Sequence, residues 1–350
     1  MCHPRVGGDQ LDSRFRGNDR NVVNAELEVL EKANSKEVKG RLREKVLRLK
    51  KERNAYIVAH NYQNYEVQEV ADILGDSLAL SKATIGTGYD VIVFCGVDFM
   101  AESAKILNPR RTVILPVREA DCPMALMVTP ERLREKKKEF PDAAVVCYVN
   151  SSAAVKAESD IACTSANAID IVKSLPQKRV IFVPDKNLGH YVQRFCPEKE
   201  IILWQGFCTT HIRVTAQDVI HMKTRYPNSK FIAHPECPPD VIDLADHVCS
   251  TSGFSSFVSK SDADTFIIGT EVGMIYKLKK DHPSKRFVMP TEQFVCQTMK
   301  MTTLGWVAHA LETLEHKIEI PESIRARAEV TLRRMMAVTN EHPNAAIASY

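Results

Sequence analysis

Five residues with metal-binding or acid–base chemistry crowd into one stretch, IAHPECPPDVIDLADHVCSTSG: His234, Glu236, Cys237, His247 and Cys249. Imidazole, carboxylate and thiol donors are what zinc and iron sites use. Yet the stretch has no CxxC pair, and CTTH at Cys208–His211 supplies one thiol only, so a zinc ribbon is not indicated. The compact three-cysteine motif of radical-SAM enzymes is missing as well.

The stretch is one of three copies. A shift of 88 residues, then one of 86, lays His60 on Tyr148 and His234, Tyr62 on Asn150 and Glu236, and Ser77 on Ser165 and Thr251. The segments ADILGDS, SDIACTSAN and ADHVCSTSG then coincide, with Asp72, Asp160 and Asp246 in register. Cys122, Cys208 and Cys296 close the rounds at intervals of 86 and 88. Apolar runs overlay in any alternating chain. Three polar positions per round do not, so the chain reads as a triplicated unit.

Strands and helices must position these residues. NAYIVAH, DVIVFCG and RTVILPV in the first round, AAVVCYV, RVIFVPD and EIILWQG in the second, and KFIAHPE, TFIIGTE and RFVMPTE in the third alternate with helical patterns. That rhythm predicts parallel sheets flanked by helices. The expected class is α/β: three homologous parallel-sheet α/β/α domains around a pseudo-threefold axis, with a central active site. The expected division is a disordered tail over 1–24 and repeats over 25–118, 119–204 and 205–292. The remainder, 293–350, holds the last cysteine, helices on either side of Pro321 that pack across the domains, and a frayed end from Thr339. Ligands bind outside the carboxyl ends of parallel strands. His60, Tyr148 and His234 fall at such ends, and each cysteine follows its round's last strand. One cavity would then be lined by three thiols and three polar pairs.

Three thiolates from separate domains suit zinc or an iron–sulfur cluster. A cubane on three thiolates leaves one iron open as a Lewis acid, which suits dehydration chemistry. Ser77, Ser165 and Thr251, each just before an expected helix, suit anion binding; a plain N-cap is the alternative for any one of them. Glu236 is the only acid among the polar pairs and the candidate general base, with its pKa expected to move toward neutrality in a desolvated cavity. His60, Tyr62, His234 and His211 are candidates for proton transfer and orientation, and Tyr148 and Asn150 for holding a carboxylate. Cys2, Cys95, Cys147, Cys163, Cys196, Cys237 and Cys249 read as packing residues. Met299 and Met301 are expected to pack a helix that closes the cavity.

Composition narrows the classes. At 350 residues and 44% hydrophobic content the chain can build two or three cores. Its ten cysteines do not suggest a disulfide framework, so reduced thiols and a cytoplasmic location are expected. There is no run of about 18 apolar residues, and MCHPRVGGDQLDSRFRGNDRN has no secretory h-region. A net charge of +3 argues against a nucleic-acid binder, and RLREKVLRLKKER reads as a solvated helix face.

AHNYQ, GDSLALSK, FMAESAKIL, ADCPMA, CYVNSSAAVKAESDIACTSANA, LWQGFCTTH, AHPEC, STSG and CQTMKMTTL together resemble the quinolinate synthase family, over roughly Leu42 to Ala337. The resemblance implies a central [4Fe-4S] cluster. It implies a transferase that condenses iminoaspartate with dihydroxyacetone phosphate to quinolinate, phosphate and water in NAD biosynthesis. A functional link to the oxidase that makes iminoaspartate would follow, with no nucleic-acid or membrane partner. By resemblance, Cys122, Cys208 and Cys296 are the cluster ligands. His60, Ser77, Tyr148, Val149, Asn150, Ser165, His234, Pro235, Glu236 and Thr251 match iminoaspartate contacts, and Tyr62 and His211 match further active-site positions. One departure is GVDFMAE, where the family usually has GVHFMAE, so Asp98 replaces a histidine. Two other classes remain open: a metal-dependent hydratase of a small dicarboxylate, and a non-catalytic, cluster-holding scaffold.

Overall fold

In the computed structural model, which describes residues 36–341, twelve strands form three separate four-stranded sheets. The first contains β1 (Ala55–His60), β2 (Ile73–Gly75), β3 (Val91–Cys95) and β4 (Thr112–Ile114). The second contains β5 (Ala144–Tyr148), β6 (Ile161–Cys163), β7 (Arg179–Val183) and β8 (Glu200–Leu203). The third contains β9 (Lys230–Ala233), β10 (His247–Val248), β11 (Thr265–Gly269) and β12 (Arg286–Val288). The orders are β2-β1-β3-β4, β6-β5-β7-β8 and β10-β9-β11-β12, one topology used three times, with every pairing parallel.

Nine of these strands coincide with the segments read from the sequence. The other three, β2, β6 and β10, are two or three residues long, too short to show a period of two. They lead into the segments that carry Ser77, Ser165 and Thr251.

The aspartates in register have a structural task. The Ile57 N–H donates to Asp72 Oδ2 at 2.8 Å, the Val145 N–H to Asp160 Oδ2 at 2.7 Å, and the Phe231 N–H to Asp246 Oδ2 at 2.8 Å. Each aspartate returns its own N–H to the carbonyl of the same strand residue at 2.8–3.0 Å. This closed pair ties the segment entering each edge strand to the first strand of its repeat. Charge-assisted bonds of this kind are among the stronger hydrogen bonds.

Side-chain alternation distributes the core. In β1, Ile57 and Ala59 join one cluster and Val58 another; in β9, Phe231 and Ala233 separate from Ile232 in the same way. Both faces of these sheets are therefore covered, as parallel sheets require. The largest cluster runs through the first two repeats and takes in Ala328, Leu332, Met335 and Met336.

The C-terminal part crosses back over the molecule, as read from the sequence. The helix Leu304–Thr313 packs on the first repeat beside the helix Lys36–Glu52. The helix Glu322–Glu341 packs mainly on the second repeat. Between them, the Ile318 N–H donates to Val113 O at 2.8 Å and the Leu115 N–H to His316 O at 3.2 Å, which covers the open edge of β4. The helix continues through the first three residues of the expected frayed end; positions 342–350 and the expected tail over 1–24 lie outside the described residues. The basic stretch after Leu42 forms ion pairs such as Lys50–Asp72 and Lys45–Glu312. Among the described residues, no helix is long and apolar enough to cross a membrane.

Candidate active site

A single cavity lies where the carboxyl ends of the three sheets meet, with about 670 Å³ of space including its mouth. Its position follows from topology. In each sheet the chain leaves the first strand for one edge, then crosses to the other side, and the crevice opens where these directions diverge.

Cys122, Cys208 and Cys296 all line it, one from the end of each repeat. Among the described residues no other cysteine does. Cys95, Cys147, Cys163, Cys196 and Cys237 are buried elsewhere, and Cys237 Sγ donates to Gly269 O at 3.5 Å. His247 stacks on Phe257 at 4.4 Å, away from the cavity. Burial pushes the Cys122 and Cys208 thiols well up from their ordinary range, so both stay protonated without a metal and become thiolates on binding one. Three thiols brought together in this way suit an iron–sulfur cluster with one open iron, and a zinc ion as well.

The polar positions arrive as three overlaid pairs: His60 with Tyr62, Tyr148 with Asn150, and His234 with Glu236, all lining the cavity. Val149 and Pro235 do not line it. Both are buried behind the wall, and the Val149 N–H donates to Cys163 O at 2.8 Å. Ser77, Ser165 and Thr251 also reach the cavity, but only Ser165 lies ahead of its helix, as expected. Ser77 and Thr251 are the first helical residues of Ser77–Thr84 and Thr251–Lys260, and Ser165 stands three residues before Ala168–Ser174. Capping at the first helix belongs to Asp76, which accepts from the Ala79 N–H at 2.9 Å. The Thr251 hydroxyl accepts from Asn61 Nδ2 at 3.0 Å, and the Ser165 hydroxyl pairs with His234 Nε2 at 3.2 Å.

Glu236 is 4% exposed, with Oε2 lying 2.8 Å from His211 Nδ1. Burial alone pushes its carboxyl up, but His234, His211 and the Tyr148 hydroxyl outweigh burial and hold it well below the usual range. This reverses the expected shift toward neutrality: the cavity is dry, but its imidazoles are close enough to favour the anion. Burial also holds His60 and His234 neutral, with pKa values down to about 4 and about 3.

A continuous hydrogen-bond chain crosses the cavity wall. The Tyr62 hydroxyl lies 2.5 Å from Thr270 Oγ1, which lies 2.9 Å from His211 Nε2. With Glu236 ionised, one orientation satisfies every member: Tyr62 donates to Thr270, Thr270 to His211 Nε2, and His211 Nδ1–H to Glu236. Thr270, fully buried, escaped the sequence reading because it belongs to a middle strand's end rather than to a polar pair. Asp76 and Thr164 also line the cavity unannounced, although the overlay places them in one column with Ser250. Asp76 Oδ2 accepts from the hydroxyls of Ser250 and Ser252, at 3.3 and 2.5 Å.

Met299 is buried against the cavity, whereas Met301 is 37% exposed and has no part in closing it. Lys300 serves there instead: it ion-pairs with Glu271 at 3.0 Å and donates to the Tyr62 carbonyl.

The chain is similar in sequence to known proteins over most of its length. Residues 44–337 match the family described as quinolinate synthetase A protein. A quinolinate synthase of Methanoregula boonei is 54% identical over 297 residues, covering 85% of this chain and 98% of that protein. Those of Geobacter metallireducens and Alkaliphilus metalliredigens are 52% and 51% identical over 300 and 295 residues. They cover 86% and 84% of this chain, and 98% and 97% of their own lengths.

Proposed function

The chain belongs to the quinolinate synthetase A protein family, and from this premise we infer that it condenses iminoaspartate with dihydroxyacetone phosphate to quinolinate, phosphate and water, as a transferase of NAD biosynthesis. The observation that carries this reading is the meeting of three cysteines and three polar pairs in one cavity, each set supplied once per repeat. In this reading the repeats divide near 118 and 204, and a third boundary near 292 sets off the last cysteine.

Cys122, Cys208 and Cys296 would hold a [4Fe-4S] cluster, whose open iron supplies Lewis acidity toward a carboxylate or departing hydroxyl. The protein's own groups do the rest. Ser77, Ser165 and Thr251 present hydroxyls from three sides and suit the carboxylates of a four-carbon dicarboxylate; Tyr148 and Asn150 add a phenol and an amide. Neutral His60 and His234 orient the substrate without placing fixed charge beside it. Glu236, held ionised, accepts a proton at Oε2, and His211 and Thr270 pass a proton between Glu236 and the Tyr62 hydroxyl. Buried walls exclude bulk water, which protects an imine from hydrolysis. A functional link to an iminoaspartate-forming oxidase, and a cytoplasmic location, belong to the same reading.

One observation favours a second reading. Cys208, His211 and Glu236 offer ligand atoms within 4.8 Å of one another, a thiolate, imidazole and carboxylate set that a single zinc ion would accept. That arrangement would serve a dicarboxylate hydratase and leave Cys122 and Cys296 unused. Anaerobically reconstituted protein supplied with both substrates separates the two. Quinolinate in the product supports the synthase. A zinc-loaded, colourless protein that hydrates fumarate-like acids and makes no quinolinate supports the hydratase.

A further inference from the structure

Behind two of the three cavity cysteines sits a carboxylate that accepts the cysteine's own N–H. The Cys122 N–H donates to Asp98 Oδ1 at 3.0 Å, and the Cys296 N–H to Glu271 Oε1 at 3.1 Å. At Cys208 the corresponding acid, Asp185, instead caps a helix: its Oδ1 accepts from the Asn187 and Leu188 amides at 2.7 and 2.9 Å, and its Oδ2 makes no hydrogen bond. Asp185 and Glu271 are fully buried, and Asp98 is half-buried.

Asp98 and Glu271 do not occupy one register position: the shifts of 88 and 86 lay Asp98 on Lys186 and Val272, and Glu271 on Asp185 and Val97. Asp98 precedes its cysteine by 24 residues, Asp185 by 23 and Glu271 by 25. Asp98 is the first residue of the helix Asp98–Leu107, Asp185 immediately precedes the helix Lys186–Gln193, and the longer Glu271 stands two residues before Gly273–Asp281. The Asp98 and Glu271 carboxylates therefore reach the cysteine amides by different routes. Descent from a common repeat would preserve register; here the contact is kept although the register is not. Carboxylates drawn out of water are costly unless hydrogen-bonded, so two of them in this one role call for a purpose.

We propose that Asp98 and Glu271 are positioning residues for the metal group, each taking up the backbone N–H of one ligand cysteine so that it is withheld from the group's sulfurs. The proposal rests on the reading that the three cysteines hold an iron–sulfur cluster. Hydrogen bonds to sulfur are one of the main settings of cluster potential. A cluster whose ligand amides are turned into carboxylates keeps a low potential, resists reduction and stays available as a Lewis acid. The same contacts fix the cysteine loops before metal arrives.

Asp98→Ala and Asp98→Asn test this, because asparagine retains an oxygen that can accept the Cys122 N–H and alanine does not. Each full-length protein is reconstituted anaerobically, its iron counted, and its midpoint potential followed by EPR. The alanine variant should reduce at least tenfold more readily, an upward shift of about 59 mV for a one-electron couple, or else lose its cluster to a chelator. The asparagine variant should stay within a few-fold of the native protein in both measurements. Indistinguishable alanine and asparagine variants, whether both native-like or both altered, overturn the proposal while the native cluster stands. A native protein that takes up no cluster overturns the cofactor reading and this proposal with it.

Discussion

His60 offers a prediction whose size follows from burial. In the folded protein its pKa is lowered to about 4 by desolvation, only partly opposed by Asp76 and Glu236. In the unfolded chain it titrates near its ordinary value of about 6.5. At pH 5 the unfolded residue carries nearly a full proton and the folded one about a tenth, so acid favours unfolding. The stability contribution is fully present above about pH 6.5 and is lost as pH falls, levelling off below about 4. Integration from pH 7 to pH 5 gives a loss of about 2 kcal/mol for His60. His234, lowered to about 3, contributes a similar loss over the same interval. Both figures are insensitive to the folded pKa so long as it lies below 5. Urea unfolding of the metal-free protein at pH 7 and pH 5 reads the effect. His60→Gln removes one titrating group, so its stability should fall by about 2 kcal/mol less than the native protein's over that interval. The two exposed-histidine backgrounds are identical and cancel. An equal fall in both proteins, or an imidazole resonance of His60 that titrates above pH 6, refutes the account of a desolvated, neutral His60.

Three further outcomes follow from the same structure. Glu236→Gln should bind iron as the native protein does yet lose most of its turnover; undiminished quinolinate formation would remove Glu236 as the base. Thr270→Val breaks the path from Tyr62 to His211 and should lower kcat more than it raises KM, with Thr270→Ser restoring most of the rate. A valine variant with native kcat would show that no proton passes through Thr270. Asp160→Ala leaves the Val145 N–H in β5 without its partner, at a cost of about 1–3 kcal/mol, visible as a lower urea midpoint with no change in cluster EPR.

The sequence made the repeat legible because selection on function left polar residues in register. His60, Tyr148 and His234 sit on equivalent strand ends, and ordinary strand patterning placed those ends correctly. Asp72, Asp160 and Asp246 stood out equally, although their work is structural: bonding to the next strand demands the same residue in each copy. The short strands β2, β6 and β10 escaped because two or three residues carry no periodic signal. Thr270 and the acids behind the cysteines escaped for another reason. Their importance lies in contacts across 24 to 208 residues of sequence, and Asp98 and Glu271 do not share a register position. The direction of the Glu236 shift was not legible either. Burial can be guessed from composition, but the nearness of His211 requires the fold.

The convergence of three repeats on one metal group is tested most directly by single Cys→Ser replacements, read by iron content and EPR after anaerobic reconstitution. Serine at Cys122, Cys208 or Cys296 should each abolish the cluster signal and the bound iron. Serine at Cys237 or Cys249, the two cysteines that lie in the metal-like stretch of the third repeat, should leave both intact. Loss of the signal on changing Cys237 or Cys249, with retention on changing Cys122 or Cys296, would contradict the account.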